Sequence, residues 1–296
     1  MDLPRDFRSG YVALIGRPNA GKSTLLNQLL KFKLSIVTRK PQTTRKNVLG
    51  ILSDEHSQIV FMDTPGLIEP QYDLQKMMMK YLESALEDAD VIIYLLDVTA
   101  SGEIFTAYEE QIFLKEKPVI LALNKVDLIQ KEKLLPLIEN YQGKYNFESI
   151  IPISALKNDG LDRLVKELVH SLPFNPPYFP PEYVTDQQER FFVSEIIREK
   201  IFELYSEEVP YSCHVQIEEF RERPQRKDYI RAVIYVDRIS QKGILIGKRG
   251  QSLKRVGELS RNEIESFLER PVFLELYVKV MGDWRRKPSK LKSLGY

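Results

Sequence analysis

One cysteine, Cys213, and three scattered histidines, His56, His170 and His214, are all that the 296-residue sequence holds of these two residue types. A lone thiol leaves no internal disulfide and no cysteine-based zinc site, and histidines so far apart in sequence make no metal centre. A dominant charge is lacking too. Lys+Arg number 43 and Asp+Glu 42, a formal net charge of +1, so nothing global draws the chain to nucleic acid or to a membrane. Long hydrophobic runs are also missing. The most apolar stretch, Val91–Val98 (VIIYLLDV), is far shorter than the roughly 20 residues a membrane-spanning helix needs. The opening MDLPRDFR has no apolar segment of the secretory kind. What is present is 43% hydrophobic and 29% charged, the balance of a globular chain with a proper core. Its length suits two domains of roughly 100–200 residues each. The expectation is a cytoplasmic protein of two domains.

The sharpest break in composition is Pro173–Pro181 (PFNPPYFPP), five prolines in nine residues, which predicts a semi-rigid spacer. The boundaries that follow are 1–172, a linker over 173–186, and 187–296. Upstream, short β-branched runs read as buried strands at Tyr11–Gly16, Gln58–Asp63, Val91–Asp97, Pro118–Asn124 and Ser149–Ser154. Helix-period segments such as Lys22–Leu30, Leu74–Leu86 and Leu161–His170 lie between them. That alternation predicts an α/β domain, a mostly parallel six-stranded sheet with helices on both faces, whose ligands sit beyond the carboxyl ends of the strands. Downstream, a helix over Gln188–Tyr205 precedes strands at Cys213–Phe220 and Tyr229–Asp237. A short helical piece, a helix over Ser252–Glu269 and a strand over Val272–Val280 follow, a smaller α+β unit with its helices on one face of the sheet.

Gly16-Arg-Pro-Asn-Ala-Gly-Lys-Ser23 follows the first strand and opens the first helix. In G-x-x-x-x-G-K-[ST] the loop's N–H groups and the helix N-terminus cradle phosphates. Lys22 then reaches the β- and γ-phosphates and Ser23 ligates Mg²⁺. Asn19, Ala20, Gly21 and Thr24 complete this side of the nucleotide site. Asp63-Thr-Pro-Gly66 ends the next strand, placing Asp63 to hold the magnesium through water and the Gly66 N–H to sense the γ-phosphate. Asn124-Lys-Val-Asp127 selects the base. A carboxylate at Asp127 pairs with the N1–H and 2-amino donors of guanine, whereas adenine would leave that desolvated charge unpaired. Lys125 belongs to the same motif, and Ser154-Ala155-Leu156 supplies a backbone N–H to the guanine carbonyl.

In the downstream unit, Gly247-Lys-Arg-Gly250 is a G-x-x-G turn between two helices, the element order of a type II KH domain. Lys248 and Arg249 suit the gripping of a sugar-phosphate backbone, and Lys254 and Arg255 line the groove or are solvated surface charge. From Arg238 to Arg261 there are seven Lys/Arg and one Glu, 7 − 1 = +6, a local footprint that phosphate binding requires. Ile244, Leu245 and Ile246 serve as an apolar platform for bases or as core. The tail, Trp284 to Lys287 with Lys290 and Lys292, contacts RNA or frays.

On these motifs the chain up to about residue 170 resembles the translation-factor-type P-loop GTPases. The resemblance implies that Gln42-Thr-Thr-Arg45 is the first switch, where a threonine, Thr44 with Thr43 as the fallback, closes over Mg²⁺. With Lys22 and Gly66, Thr44 completes the catalytic set. One position departs from many relatives: Leu67 stands where a water-orienting glutamine follows the glycine, so unaided hydrolysis should be slow. Asn19 is similar to the marker of relatives that bind K⁺, a cation able to stabilise the transferring phosphoryl, and is otherwise a loop-shaping residue. With PQTTRK, DTPG, NKVD and ILIGKRGQSLKRVG in order, the whole chain resembles the Era family of bacterial ribosome-assembly GTPases. That resemblance implies binding of GTP and GDP, of small-subunit (16S) ribosomal RNA near its 3′ end, and of the assembling 30S subunit. It also implies a cytoplasmic location, with peripheral contact at the inner face of the membrane, and no DNA partner. Two other classes compare less well. A small-molecule kinase conflicts with Asn124–Asp127. An RNA chaperone with an inert nucleotide domain draws only on Leu67.

Overall fold

The computed structural model describes residues 4, 6–38, 40–100, 105–113, 116–143 and 145–296. They form two compact units. Unit 1 takes in Met1–Ser35, Thr44–Ile68 and Met78–Asp186, and unit 2 takes in Ile36–Thr43, Glu69–Met77 and Gln187–Tyr296.

Unit 1 carries strands β1 (Arg8–Ile15), β2 (Val48–Ser53), β3 (Ser57–Asp63), β4 (Val91–Asp97), β5 (Val119–Asn124) and β6 (Ser149–Pro152). Their order across the sheet is β2-β3-β1-β4-β5-β6, parallel throughout except for β2, which runs antiparallel to β3. The central strands are buried along their length: Val12–Ile15, Ile59–Met62, Val91–Leu95 and Val119–Leu123 all lie in the core. Strands apolar on both faces need cover on both, which the helices supply. These are α1 (Lys22–Leu30), α2 (Asp73–Asp88), α3 (Ala107–Phe113), α4 (Leu134–Gln142) and α5 (Leu161–Ser171). Each fully buried Leu, such as Leu25 or Leu164, contributes about 1.5–3 kcal/mol. Register then sets the site. Leu14 pairs with Asp63, Ile15 with Tyr94 and Asp97 with Asn124, so four strands end along one edge.

The proline-rich stretch expected to act as a spacer is tied to unit 1 at several points. Ser9 Oγ donates to the Asn175 and Pro176 carbonyls, while Gln58 Oε1 accepts from the Tyr178 and Phe179 N–H groups. Gln58, fully buried, also returns its amide to the Phe179 carbonyl. A segment with few N–H groups of its own is thus anchored by two side chains of the sheet.

Unit 2 contains α6 (Glu189–Leu204), α7 (Val209–Ser212), β7 (His214–Arg221), β8 (Asp228–Val236), α8 (Ile239–Ile246), α9 (Gln251–Leu268), β9 (Val272–Val280) and α10 (Pro288–Ser293). The sheet order is β7-β8-β9, with β7 antiparallel and β9 parallel to β8. The alternation along β8 buries Ile230, Ala232, Ile234 and Val236 against Val193, Ile197 and Ile201 of α6 and Val256 and Ile264 of α9. The end of the chain does not fray. Trp284 is fully buried with its indole N–H on the Ser212 carbonyl, Tyr296 stacks on it, and Lys290 Nζ donates to the Gly282 carbonyl. Burial of one large aromatic holds the tail in place, and the neighbouring Arg285, largely buried, pairs with Asp237.

Candidate nucleotide and nucleic-acid sites

The loop after β1 curls tightly between Gly16 and Ser23. Lys22 is buried, and its ammonium donates to the carbonyls of Gly16 (2.8 Å) and Arg17 (3.2 Å). Burial pulls its pKa down to about 8, against the opposing attraction of Asp63. Gly21 has φ 104°, and a Cβ there would lie 2.3 Å from Asn124 Nδ2, so a side chain is excluded by both strain and space. Asn19 also holds a left-handed backbone (φ 63°), a conformation that asparagine tolerates better than most residues. Ala20 is buried and Thr24 half-buried.

Asp63 gathers the hydroxyls. Its Oδ2 accepts from Ser35 Oγ (2.7 Å), Thr44 Oγ1 (3.2 Å) and Ser23 Oγ (3.3 Å), and Ser23 and Thr44 also touch each other at 3.3 Å. Of the two threonines, the one in this cluster is Thr44. Asp63 Oδ1 is buried with no hydrogen-bond partner among the described residues, and burial raises the carboxyl above its ordinary pKa in spite of those donors. A buried oxygen left unsatisfied beside two long hydroxyl contacts fits a hard divalent cation: Ser23, Thr44 and Asp63 offer only oxygen, the donor set of Mg²⁺. Gly66 packs against Pro18, and the Leu67 N–H donates to the Gly16 carbonyl at 3.1 Å, so the segment after Asp63 is fastened to the phosphate loop.

At the base end, Asn124 is the joint. Nearly fully buried, it donates from Nδ2 to the Ala20 carbonyl (2.7 Å) and accepts at Oδ1 from the Ala155 N–H (3.0 Å). One side chain thereby fixes the phosphate loop relative to the loop after β6. Asp127 Oδ1 accepts from Ser154 Oγ at 2.6 Å, while Leu156 is 69% exposed. Lys125, in a left-handed conformation (φ 67°), pairs its ammonium with Asp97 at 2.5 Å.

In unit 2 the G-x-x-G turn joins α8 to α9. Gly247 (φ 71°) sits so close to α9 that a Cβ would come 2.1 Å from Ser252 Oγ. Gly250 and Arg249 also hold positive φ, which turns Lys248 and Arg249 out to solvent. Lys254 and Arg255 are exposed on α9, each 3.9 Å from Glu258. The apolar triplet divides: Leu245 is core, Ile244 is 54% exposed and Ile246 half-buried. Only Ile244 of the three presents most of its surface to solvent.

Comparison with known proteins agrees with both halves. Residues 11–125 match the model of a 50S ribosome-binding GTPase and residues 208–285 that of a KH domain. The chain is 47% identical to the GTPase Era of Geotalea uraniireducens over 99% of both chains. The chain belongs to the Era family of GTPases. A chloroplastic ERA1 GTPase of Zea mays is 45% identical over 99% of this chain and 72% of its own. Among solved structures, Aquifex aeolicus Era bound to GDP and aluminium fluoride superposes with a TM-score of 0.92 at 43% identity, covering 98% of this chain and 99% of the other. An Era complex with MgGDPNP and nucleotides 1506–1542 of 16S ribosomal RNA matches equally well, with the same identity, coverage and TM-score.

Within this Era-family chain, three polar residues of the site lie outside the nucleotide motifs. Ser35 makes the shortest contact to Asp63, and Asp97 anchors Lys125. Glu109 holds the Arg17 guanidinium of the phosphate loop at 2.8 and 2.7 Å and also accepts from the Tyr94 hydroxyl. Burial alone would raise the Glu109 carboxyl, but those donors outweigh it and keep it below the ordinary range. A sequence signal existed for this last one: Thr106-x-x-Glu109 is a capping box, with the Thr106 N–H on Glu109 Oε2 at 2.6 Å.

Proposed function

We propose that this chain is a GTP-driven switch that binds small-subunit ribosomal RNA near its 3′ end through the Gly247–Gly250 loop and acts in assembly of the 30S subunit. The observation that carries the reading is the Asn124 joint, which sets a phosphate loop and a carboxylate-bearing base site in one fixed frame. Lys22, Gly66 and Thr44 surround the γ-phosphate end. Gly21, Ala20, Ser23 and Thr24 line the phosphates, and Asn124, Asp127, Ala155 and Leu156 hold the guanine. Ser23, Thr44 and, through water, Asp63 would hold Mg²⁺, and the ion would supply charge stabilisation at the phosphates. The RNA partner is supported by the Era relative solved with nucleotides 1506–1542 of 16S RNA. It is also supported by the exposed cations Lys248, Arg249, Lys254 and Arg255. The cytoplasm is the compartment that such a function needs. Peripheral membrane contact is a separate proposal, tested by flotation with anionic vesicles.

Unaided hydrolysis is expected to be slow because Leu67 has no polar group with which to align water, and K⁺, if held by Asn19, would supply the positive charge of an arginine finger. Single-turnover hydrolysis in KCl against NaCl, with Lys22→Ala as the inactive control, tests this. Faster turnover in K⁺ supports it and equal rates reject it. For the switch itself, RNA affinity is measured with GDP, with a non-hydrolysable GTP analogue and without nucleotide. Linkage requires RNA to change GTP affinity by the factor that GTP changes RNA affinity. Identical RNA affinity in all three states rejects the coupled switch.

A further inference from the structure

We propose that Tyr205 is a positioning residue that joins the first-switch loop to the RNA-gripping loop, an inference that rests on the GTP-driven reading above. Residues 36–43 cluster with 187–296, and the chain passes from that unit to the other between Thr43 and Thr44. The loop that delivers Thr44 to Asp63 is therefore, one peptide bond earlier, part of the RNA-facing unit. It is held there by α6 at two points. Arg198, buried, donates from Nη2 to the Thr43 carbonyl, and Lys40 Nζ donates to the carbonyls of Phe202 and Tyr205. The second contact is a helix C-cap. The last carbonyls of a helix have no donors of their own, and a cation there also meets the negative end of the dipole.

Tyr205 then faces the other way. Its hydroxyl donates to the Leu245 carbonyl at 2.8 Å, two residues before Gly247, and it also interacts with the Ser252 side chain, two residues after Gly250. Ser252 is the residue against which Gly247 is pressed. One phenol therefore touches both flanks of the Gly247–Gly250 loop, while the same residue's carbonyl accepts the switch-loop lysine. Core packing of α6 with α9 makes the connection stiff, since Val193, Ile197 and Ile201 share a core with Val256 and Ile264. A shift of Lys40 as the switch loop rearranges around the γ-phosphate is passed on to the α6 cap, and through the phenol to the angle of the G-x-x-G turn. Arg198 Nη1, buried with no hydrogen-bond partner among the described residues, marks the α6–Thr43 contact as incompletely satisfied in this arrangement of the loop.

The test is Tyr205→Phe in the full-length chain, which removes one oxygen and leaves the ring and the backbone cap. RNA dissociation constants are measured with GDPNP and with GDP. In the variant, the ratio of the two moves toward one by about two- to tenfold, the span expected for one buried hydrogen bond. GDP affinity and RNA-free hydrolysis stay at their wild-type values. Lys40→Met shrinks the ratio similarly, and the double variant shrinks it no further than either single one, because the two contacts act in series. A merely structural role would weaken RNA binding by the same factor with both nucleotides; that result, or an unchanged ratio, overturns the proposal. A wild-type ratio of one overturns the switch reading itself, and this inference with it.

Discussion

Replacing Asn124 by Ala deletes the one side chain that bonds both the phosphate loop and the base loop. The structure sets the magnitude. Two backbone groups of buried residues, the Ala20 carbonyl and the Ala155 N–H, lose their partners. Each orphaned group costs about 1–3 kcal/mol, about 2–6 kcal/mol together. Against a typical domain stability of about 5–15 kcal/mol this leaves a folded but weakened unit. The two loops then move independently, and a bound nucleotide must order them again. At least about 1.4 kcal/mol of the loss therefore appears in binding, tenfold or more in the GDP dissociation constant. Asn124→Asp separates the halves, because it keeps the acceptor for Ala155 and turns the donor to Ala20 into a repelling oxygen. Chemical denaturation of the nucleotide-free variants and calorimetric titration with GDP read both effects. A folded Asn124→Ala protein that binds GDP within about threefold of wild type refutes the joint.

Three further outcomes follow from the same geometry. Lys22, pulled down to about pKa 8 when the phosphates are absent, regains its proton when they bind, so the complex holds more protons than the free protein above that pH. GDP affinity should therefore fall as pH rises above 8, and calorimetry in buffers of different ionisation enthalpy should show proton uptake; pH-independent affinity up to 10 contradicts it. For stability of the nucleotide-free chain the sign is opposite. The unfolded lysine, with its ordinary pKa of 10.5, binds more protons between pH 8 and 10.5, so folding gains from rising pH in that window. Replacing both Lys248 and Arg249 by Asp should abolish RNA binding and leave RNA-free hydrolysis intact, since both side chains project from the Gly247–Gly250 turn of unit 2; retained binding in a filter assay would move the RNA site elsewhere. Gly21→Ala should unseat the Asn124 amide, with its Cβ placed 2.3 Å from Nδ2 at φ 104°, and weaken GDP binding at least tenfold by titration.

Much of this was legible in the sequence, for identifiable reasons. Runs buried on both faces made β1, β3, β4 and β5 readable, and the apolar alternation in β8 and β9 made both strands readable, although Val233 is also buried on the opposite face of β8. Motif residues were legible because phosphate and base chemistry restrict residue type and spacing together. The β2 strand escaped, since Gly50 interrupts its short apolar run and its partner is an antiparallel neighbour rather than a crossover. The α4 helix was hidden by Pro136, which is tolerated because it falls in the first turn. Ser35 and Asp97 carry no periodic or motif signal; only the folded chain brings each to its partner. The tail read as a string of cations that contacts RNA or frays, and Trp284 commits it to the core.

The central claim is that the Asp127 carboxylate, steadied by Ser154 Oγ, makes this a guanine-specific site. The most direct measurement titrates GDP and ADP side by side into the same nucleotide-free protein with Mg²⁺, then repeats both titrations, with xanthosine diphosphate added, on Asp127→Asn. The account predicts tight GDP binding, ADP weaker by at least about a thousandfold because the carboxylate beneath the base is left without a donor, and a preference that moves to xanthosine in the variant. ADP bound as tightly as GDP contradicts it.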